Sequence, residues 1–147
     1  MNTKLHNKKW IAAIALLGAI GLQASCQTMS MGGSEQVSLT GANEVPPVQT
    51  SASGSGTVTI KDDRSVSAKI TVTGMTPTAA HIHEAAAGSN GPVIVPFTKT
   101  GDNTFEAPAG AKLTDAQYAS YKAGKLYVNV HSAANPGGEI RAQLKGS

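Results

Sequence analysis

The chain has 147 residues and a formal net charge of +3, so one domain and an anionic partner are the first expectations. The excess charge belongs to Lys4, Lys8 and Lys9, because residues 26–147 carry nine basic and nine acidic side chains. Beyond its first segment the chain is therefore neutral, and it has no cluster of basic and aromatic residues. This composition argues against nucleic acid as a partner.

The N-terminus has the pattern of a bacterial export signal. The three lysines precede an apolar and glycine-containing run at 10–22, which is shorter than the roughly 20 residues that span a bilayer. Ala24 and Ser25 then lead to Cys26, as in a lipoprotein signal, although Gln23 stands where an aliphatic residue is usual. Ordinary cleavage after a small residue is the alternative.

Cys26 is the only cysteine, so the chain cannot form an intramolecular disulfide. Lipidation explains a single cysteine in an exported protein, and a free thiol in a tail is the alternative. We expect a signal peptide at 1–25, a lipid-anchored flexible tether at 26–35 and one folded domain at 36–147. The expected location is the cell envelope, in the periplasm or at the outer membrane, with the lipid on Cys26 as the membrane anchor.

Apolar and polar residues alternate with a period of two in four segments of the mature chain, which is typical of strands covered on one side. In one of them, Val66, Ile70 and Val72 share a face opposite Lys69. Turn-forming Gly-Pro and Asn-Pro-Gly-Gly sequences separate such segments. The four predicted strands are 56–60, 66–72, 125–131 and 139–144.

The segment 113–122 instead predicts a short helix. Thr114 can cap its start together with Gln117, and Gly124 follows as a stop. The fold class predicted from these elements is all-β, an antiparallel β sandwich or Greek-key barrel with one short crossover helix.

Three histidines of the mature chain lie on extended segments, His131 in the predicted strand 125–131 and His81 and His83 on a further segment. His81 and His83 flank Ile82, so the strand period places both imidazoles on one face, where they can converge on one ion. His131 is the only histidine left in the mature chain to supply a third ligand. The alternative is that all three are surface histidines with hydrogen-bonding roles.

The register of the last hairpin follows from the requirement that the apolar side chains of both strands face the core. This register sets Asn129 opposite Arg141 and His131 opposite Glu139 on the polar face. The expected apolar pairs are Val130 with Ile140, Val128 with Ala142 and Leu126 with Leu144.

Three imidazoles suit one ion of copper or zinc, and copper has the higher affinity for such ligands. Glu84, Glu139 and Asn129 are candidates to hold the imidazole N–H groups in place, and the alternative for both glutamates is a solvated position in a loop. Asn43 and Glu44 are interpreted as residues that bond loop backbones rather than reach the site.

Five ordered motifs together resemble the CHRD domain, a module named from chordin and common in exported bacterial proteins. The resemblance covers residues 37–144, and the family's bacterial members have no agreed activity. The motifs are LTGANEVPPV at 39–48, AHIHE at 80–84, GSNGP at 88–92, GKLYVNVH at 124–131 and NPGGEIR at 135–141.

The order of the histidine motifs, the Gly-Pro loop and the C-terminal arginine is also similar to copper/zinc superoxide dismutase. This similarity implies that His81, His83 and His131 are copper ligands and that Arg141 is a catalytic residue that guides superoxide. Val93 stands where that family has a metal-bridging histidine, so the similarity implies a copper-only centre at most.

Three functions remain open from the sequence. The first is an exported copper protein with activity like that of superoxide dismutase. The second is a non-enzymatic binding or adhesion module tethered to the envelope. The third is zinc-dependent hydration or hydrolysis, because zinc held by three histidines activates water.

Overall fold

The computed structural model describes residues 33–147. The predicted signal peptide, Cys26 and the tether as far as residue 32 lie outside the described residues. No helix within the described part of the chain is long and apolar enough to cross a membrane.

The folded domain begins two residues earlier than the sequence indicated, because the first strand starts at Ser34. Glu35 is buried, and its carboxylate accepts the backbone N–H groups of Lys145 at 2.7 Å and Gly146 at 3.0 Å. These bonds fasten the first strand to the C-terminus, so the last two residues of the predicted tether belong to the sheet.

Nine strands, one α-helix and one 3-10 turn make up the described chain. All four predicted strands and the predicted helix are present, with ends that differ by at most three residues. The elements are β1 (Ser34–Thr40), a 3-10 turn (Gly41–Asn43), β2 (Ser53–Ile60), β3 (Val66–Thr73), β4 (Pro77–Glu84), β5 (Val93–Pro96), β6 (Thr98–Gly101), β7 (Thr104–Glu106), α1 (Asp115–Lys122), β8 (Leu126–Ser132) and β9 (Ile140–Gln143).

The strands form one antiparallel sheet in the order β5-β4-β8-β9-β1-β2-β3-β7-β6. The two ends of this order are β5 and β6, which are separated in the chain only by Phe97. The Phe97 N–H donates to the Ala80 carbonyl on β4 at 2.9 Å, so the sheet curls until its ends nearly meet. The all-β prediction is confirmed as a nearly closed barrel.

The inner face of the barrel holds the apolar side chains that alternate along the strands. The helix closes part of this core with Tyr121, which is 1% exposed. Its predicted start is confirmed, because Thr114 and Gln117 form a reciprocal capping box.

The strands β4, β8 and β9 are neighbours, and β8 is buried on both faces. Its inward side chains pack in the core, whereas Tyr127 and Asn129 point outward and are 2% exposed. An outward residue is buried only when something covers the sheet from outside. The covering segments are the loops 41–50, 85–92 and 133–139, and they place the site described below.

The predicted hairpin register is confirmed where β8 and β9 pair, including Val128 with Ala142 and Asn129 with Arg141. Glu139 differs from the expectation, because it precedes β9 and its carboxylate accepts hydrogen bonds from Ser132 and, at 2.7 Å, from Thr50. The side chain therefore does not share the outer face with His131.

Candidate metal centre

Two neighbouring strands carry the three histidines to one place. His81 and His83 point outward from β4, as the period of two requires. The β4–β8 register sets His81 opposite Asn129 and Ala79 opposite His131. His81 and His131 are thus diagonal neighbours across two hydrogen-bonded strands, a spacing within reach of side chains as long as imidazole.

The three imidazoles converge. Nδ1 of His81 lies 2.9 Å from Nε2 of His131, and one ring nitrogen from each of the three residues lies within 4.8 Å of the others. The rings of His81 and His83 are 5.5 Å apart between centroids. Metal–nitrogen bonds of about 2 Å bring two ligand nitrogens to about 4 Å or less, so a contraction of less than about 1 Å suffices.

Backbone carbonyls set the tautomers of two histidines. Nδ1–H of His83 donates to the Gly91 carbonyl at 2.9 Å, and Nδ1–H of His131 donates to the Pro136 carbonyl at 2.9 Å. Each of these two rings is left with a lone pair on Nε2. The Nδ1–H of His81 donates to the Nε2 lone pair of His131. An N–H fixed by a backbone acceptor is the usual arrangement of a metal-binding histidine.

The residues present fit a metal ion. Nε2 of His83 is buried, and no hydrogen-bond partner for it exists among the described residues. A buried polar atom without a partner costs about 1–3 kcal/mol, which an ion in contact with it would offset. The three-histidine group can therefore hold a metal ion.

Burial keeps the histidines of β4 neutral. It lowers the pKa of His81 from 6.5 to about 4, with further lowering by the charges that His131 and His83 would carry. Burial also lowers the pKa of His83, against the opposing effect of its bond to Gly91. Neutral imidazoles have the free lone pair that a metal requires, so both are available near neutral pH.

An aromatic stack supports His83 from behind. Its ring lies 4.8 Å from that of Tyr127, with an angle of 6° between the planes. The Arg141 guanidinium lies 3.3 Å from the centre of the same tyrosine ring. The strands that carry His83 and Arg141 lie on opposite sides of β8, so Tyr127 is held between the imidazole and the cation.

Arg141, the expected guide for superoxide, is 1% exposed. Its guanidinium donates to the Ser89 carbonyl at 2.8 Å, to Asn90 Oδ1 at 3.1 Å and to Gln143 Oε1 at 3.4 Å. Burial lowers its pKa, although the nearby Tyr127 and Glu44 oppose that effect. These contacts hold the loop that supplies the Gly91 carbonyl, and the guiding role stays a prediction.

The glutamates proposed to hold the imidazoles have other partners. Glu84 accepts a hydrogen bond from Ser120 at 2.6 Å, and Glu139 is bonded to Ser132 and Thr50. Asn129 lies on the same face as His131, and its amide nitrogen is 3.5 Å from the Gly137 carbonyl. Backbone carbonyls accept the Nδ1–H groups of His83 and His131.

Sequence reasoning missed Tyr127, Gly91 and Pro136 as parts of the site. The only signal for the two carbonyls was that Gly-Pro and Asn-Pro-Gly-Gly turns lie close to the histidine strands in the chain. Glu44 was interpreted as a loop residue, but it is 4% exposed and lies beside Asn129 and Arg141.

The comparison with family models agrees with the resemblance drawn from the motifs. The family model described as CHRD domain matches residues 36–144, so the chain belongs to the CHRD-domain family. No curated protein and no solved structure matches the chain.

Replacing Arg141 by methionine should lower the free energy of unfolding by about 1–3 kcal/mol, because the hydrogen bonds from its buried, charged guanidinium to Ser89 and Asn90 are lost. The Lys125→Met variant removes an exposed positive charge and should stay within about 0.5 kcal/mol of the wild type. Urea unfolding followed by circular dichroism measures both, and an equal loss in the two variants would contradict the role of Arg141.

The metal-free protein should lose stability contributed by His81 as the pH falls from about 6.5 toward 4. The unfolded imidazole takes up a proton below pH 6.5, whereas the folded one stays neutral until about pH 4, so protonation favours the unfolded chain. Urea midpoints at several pH values, in the presence of a chelator, should fall less steeply for His81→Gln than for the wild type. The comparison of the two proteins cancels the contributions of the other titratable groups. Parallel curves would therefore contradict the prediction.

Proposed function

We propose that this protein binds one copper ion through His81, His83 and His131. The observation that carries the proposal is the convergence of three ring nitrogens within 4.8 Å, one of them buried and without a partner in the described part of the chain. All three ligands are imidazole nitrogens, and divalent copper has the highest affinity for such sites among the first-row metals.

Three protein ligands leave a coordination position for a small molecule. Copper bound there would supply a one-electron redox couple, which is the chemistry that superoxide disproportionation needs. His81 and His131 are only partly buried, so a small anion has a route to the cluster. We therefore propose superoxide as the substrate, in line with the similarity of motif order.

The contribution of Arg141 to this activity is through its electric field. Its Nη1 and Nη2 groups donate to Asn90, Ser89 and Gln143, and the residue is buried, so we assign it a role at a distance from the ligand. A buried positive charge nevertheless raises the local potential, which increases the encounter rate of an anion. The charge reaches the centre, since it contributes to the lowered pKa of His83.

We further propose that the domain works at the cell envelope, anchored by a lipid on Cys26 and exported by the segment 1–25. The proposal rests on the sequence pattern, with its lysines, its apolar run and a single cysteine after small residues. An envelope location would place the copper centre where reduced oxygen species from outside the cell arrive first.

The copper proposal is tested with the full mature chain carrying Cys26→Ser, so that a free thiol does not bind the metal. We expect one copper per chain. Replacing any of the three histidines by alanine should weaken affinity by more than the roughly 10- to 100-fold that loss of an outer partner causes. Calorimetry against a competing chelator measures the affinity, and Asp102→Asn, an exposed carboxylate, serves as the matched control.

Unchanged copper affinity in His83→Ala and His131→Ala would overturn the site. If copper binds at one equivalent but the loaded protein does not accelerate superoxide decay, the substrate proposal fails and the metal-binding role remains. Tighter binding of zinc with hydration of carbon dioxide would instead favour the zinc alternative.

Replacing Cys26 by serine should move the protein from the membrane fraction to the soluble fraction of the envelope, because the acyl anchor is lost. Ser25→Ala keeps the cysteine and should leave the protein in the membrane fraction. Cell fractionation with mass spectrometry of the N-terminal peptide checks both, and the same distribution for Cys26→Ser and wild type would contradict lipidation.

A further inference from the structure

Asn129 occupies the centre of the outer face on which the three histidines lie. The β4–β8 register sets it directly opposite His81, and the β8–β9 register sets it opposite Arg141 on the other side. His131 follows two residues later on the same strand and therefore shares its face. Opposed residues of an antiparallel pair have Cβ atoms about 4.5–5.5 Å apart, so Asn129 is an immediate neighbour of the histidine cluster.

The side chain of Asn129 lies deeper in the protein than two of the imidazoles. The residue is 2% exposed, whereas His81 and His131 are only partly buried. An asparagine side chain is shorter than a histidine side chain, so it ends closer to the sheet from which both project. Asn129 therefore reaches the cluster from the side of the barrel, and the imidazoles of His81 and His131 extend toward solvent.

Two acceptors fix the orientation of the Asn129 amide. Its nitrogen lies 3.5 Å from the Gly137 carbonyl and is also a donor to the Glu44 carboxylate. These two side chains meet over Gly138, where an added Cβ would lie 2.5 Å from both Nδ2 of Asn129 and Oε1 of Glu44. An amide turned the other way would set its oxygen against a carboxylate and a carbonyl, neither of which can donate. Oδ1 is therefore the atom of the amide that faces away from Glu44.

Two buried acceptors meet at the cluster. Oδ1 of Asn129 has no hydrogen-bond partner within residues 33–147, and the same is true of Nε2 of His83. The two side chains are in contact, and Nε2 carries a lone pair because Nδ1–H of His83 is donated to the Gly91 carbonyl. An amide oxygen and a ring lone pair cannot satisfy each other, because neither has a hydrogen to donate. Since burying unpaired acceptors is costly, the arrangement indicates a positive group that contacts both.

We propose that Oδ1 of Asn129 is a fourth ligand of the metal ion held by the three histidines. The inference rests on the copper proposal and deepens it, because it adds an oxygen donor to three nitrogens. Amide oxygens occur as weak axial ligands of copper. Binding from the side of the barrel leaves the solvent side of the ion for a small molecule, where His81 and His131 are partly exposed.

An oxygen ligand favours one oxidation state of copper. Carbonyl oxygens suit hard cations, whereas monovalent copper is soft and prefers sulfur ligands. Removal of this oxygen should therefore weaken the binding of divalent copper and leave that of monovalent copper nearly unchanged. Because the reduction potential depends on the ratio of the two affinities, each tenfold loss for the divalent ion alone raises the potential by about 59 mV.

The first test uses the full mature chain carrying Cys26→Ser, with copper in both oxidation states as the probe. Asn129→Leu should weaken the binding of divalent copper by at least about 10-fold and raise the potential by about 59 mV or more. Asn103→Leu makes the same change at an exposed asparagine between β6 and β7, and it should leave both quantities unchanged. Competition with chelators measures the affinities, and voltammetry measures the potential, which a purely structural role of Asn129 would not shift.

A paired substitution protects the test against misfolding of Asn129→Leu. Asn129→Asp combined with Glu44→Gln exchanges the amide and the carboxylate, so a hydrogen bond between the two side chains is kept and the net charge is unchanged. An oxygen still faces His83, and it now carries a negative charge. This variant should bind divalent copper more tightly than the wild type and have a lower potential, because the charge stabilises the divalent ion more than the monovalent one.

A spectroscopic signature separates direct coordination from a bridging water molecule. In wild-type protein labelled with carbon-13 at the asparagine side-chain carbonyls, electron–nuclear double resonance of bound divalent copper should show one strongly coupled carbon. The signal should be absent from the paired variant, which has no asparagine at position 129. A lowered copper affinity in Asn129→Leu without this coupled carbon in the wild type would mean that water links Asn129 to the ion, and the fourth ligand would be excluded.

The failure of this proposal differs from the failure of the copper site. Wild-type affinity and potential in Asn129→Leu, together with weakened binding in the histidine variants, would overturn the fourth ligand and leave the three-histidine site intact. Unchanged copper affinity in His83→Ala and His131→Ala would instead remove the site and the fourth ligand together.

Discussion

The guanidinium of Arg141 is the contact on which the outer face of this barrel depends. A buried positive charge is tolerated only when it is paired or fully hydrogen-bonded. Here it is stabilised by the Ser89 carbonyl, the Asn90 amide and the face of Tyr127. Because the buried cation needs these acceptors, the loop 85–92 is held over the strands β4, β8 and β9.

That closure determines the geometry of the histidines. Gly91 follows the bonded Asn90, and its carbonyl accepts the Nδ1–H of His83 while its N–H donates to the Tyr127 hydroxyl at 3.2 Å. His83 is therefore held at its edge by the loop and on its face by the tyrosine. The ring nitrogen directed at the cluster is presented without a rotameric search, which favours metal binding by reducing the entropy lost.

The same arrangement separates the three histidines from a cavity on the same surface. Strands β4 and β8 carry the three imidazoles, whereas the divergence of β1 from β9 leaves a cavity beside Glu44. Arg141 lies between them, because it belongs to β9 and lines the cavity while its guanidinium stacks on Tyr127.

Many elements of this fold can be predicted from patterns of residues that are close together in the chain. Alternation in segments such as 66–72 predicted strands, and Thr114 with Gln117 predicted the start of the helix, because both depend on neighbouring residues. The hairpin register was also predictable, since only one alignment buries both apolar sets. Glu139 differed because the regular pairing of β9 with β8 begins only at Ile140, which no alternation pattern reveals.

The sequence by itself determined the family, the strand character and the identity of the histidines that share a face, because those depend on residue type and period. Only the tertiary structure decided which atoms complete the site. The carbonyls of Gly91 and Pro136 have no side-chain signature, and the Tyr127–Arg141 stack joins residues of two strands. Glu44 is far from β9 in the chain, and the pairing of β1 with β9 in the sheet places its carboxylate beside Arg141.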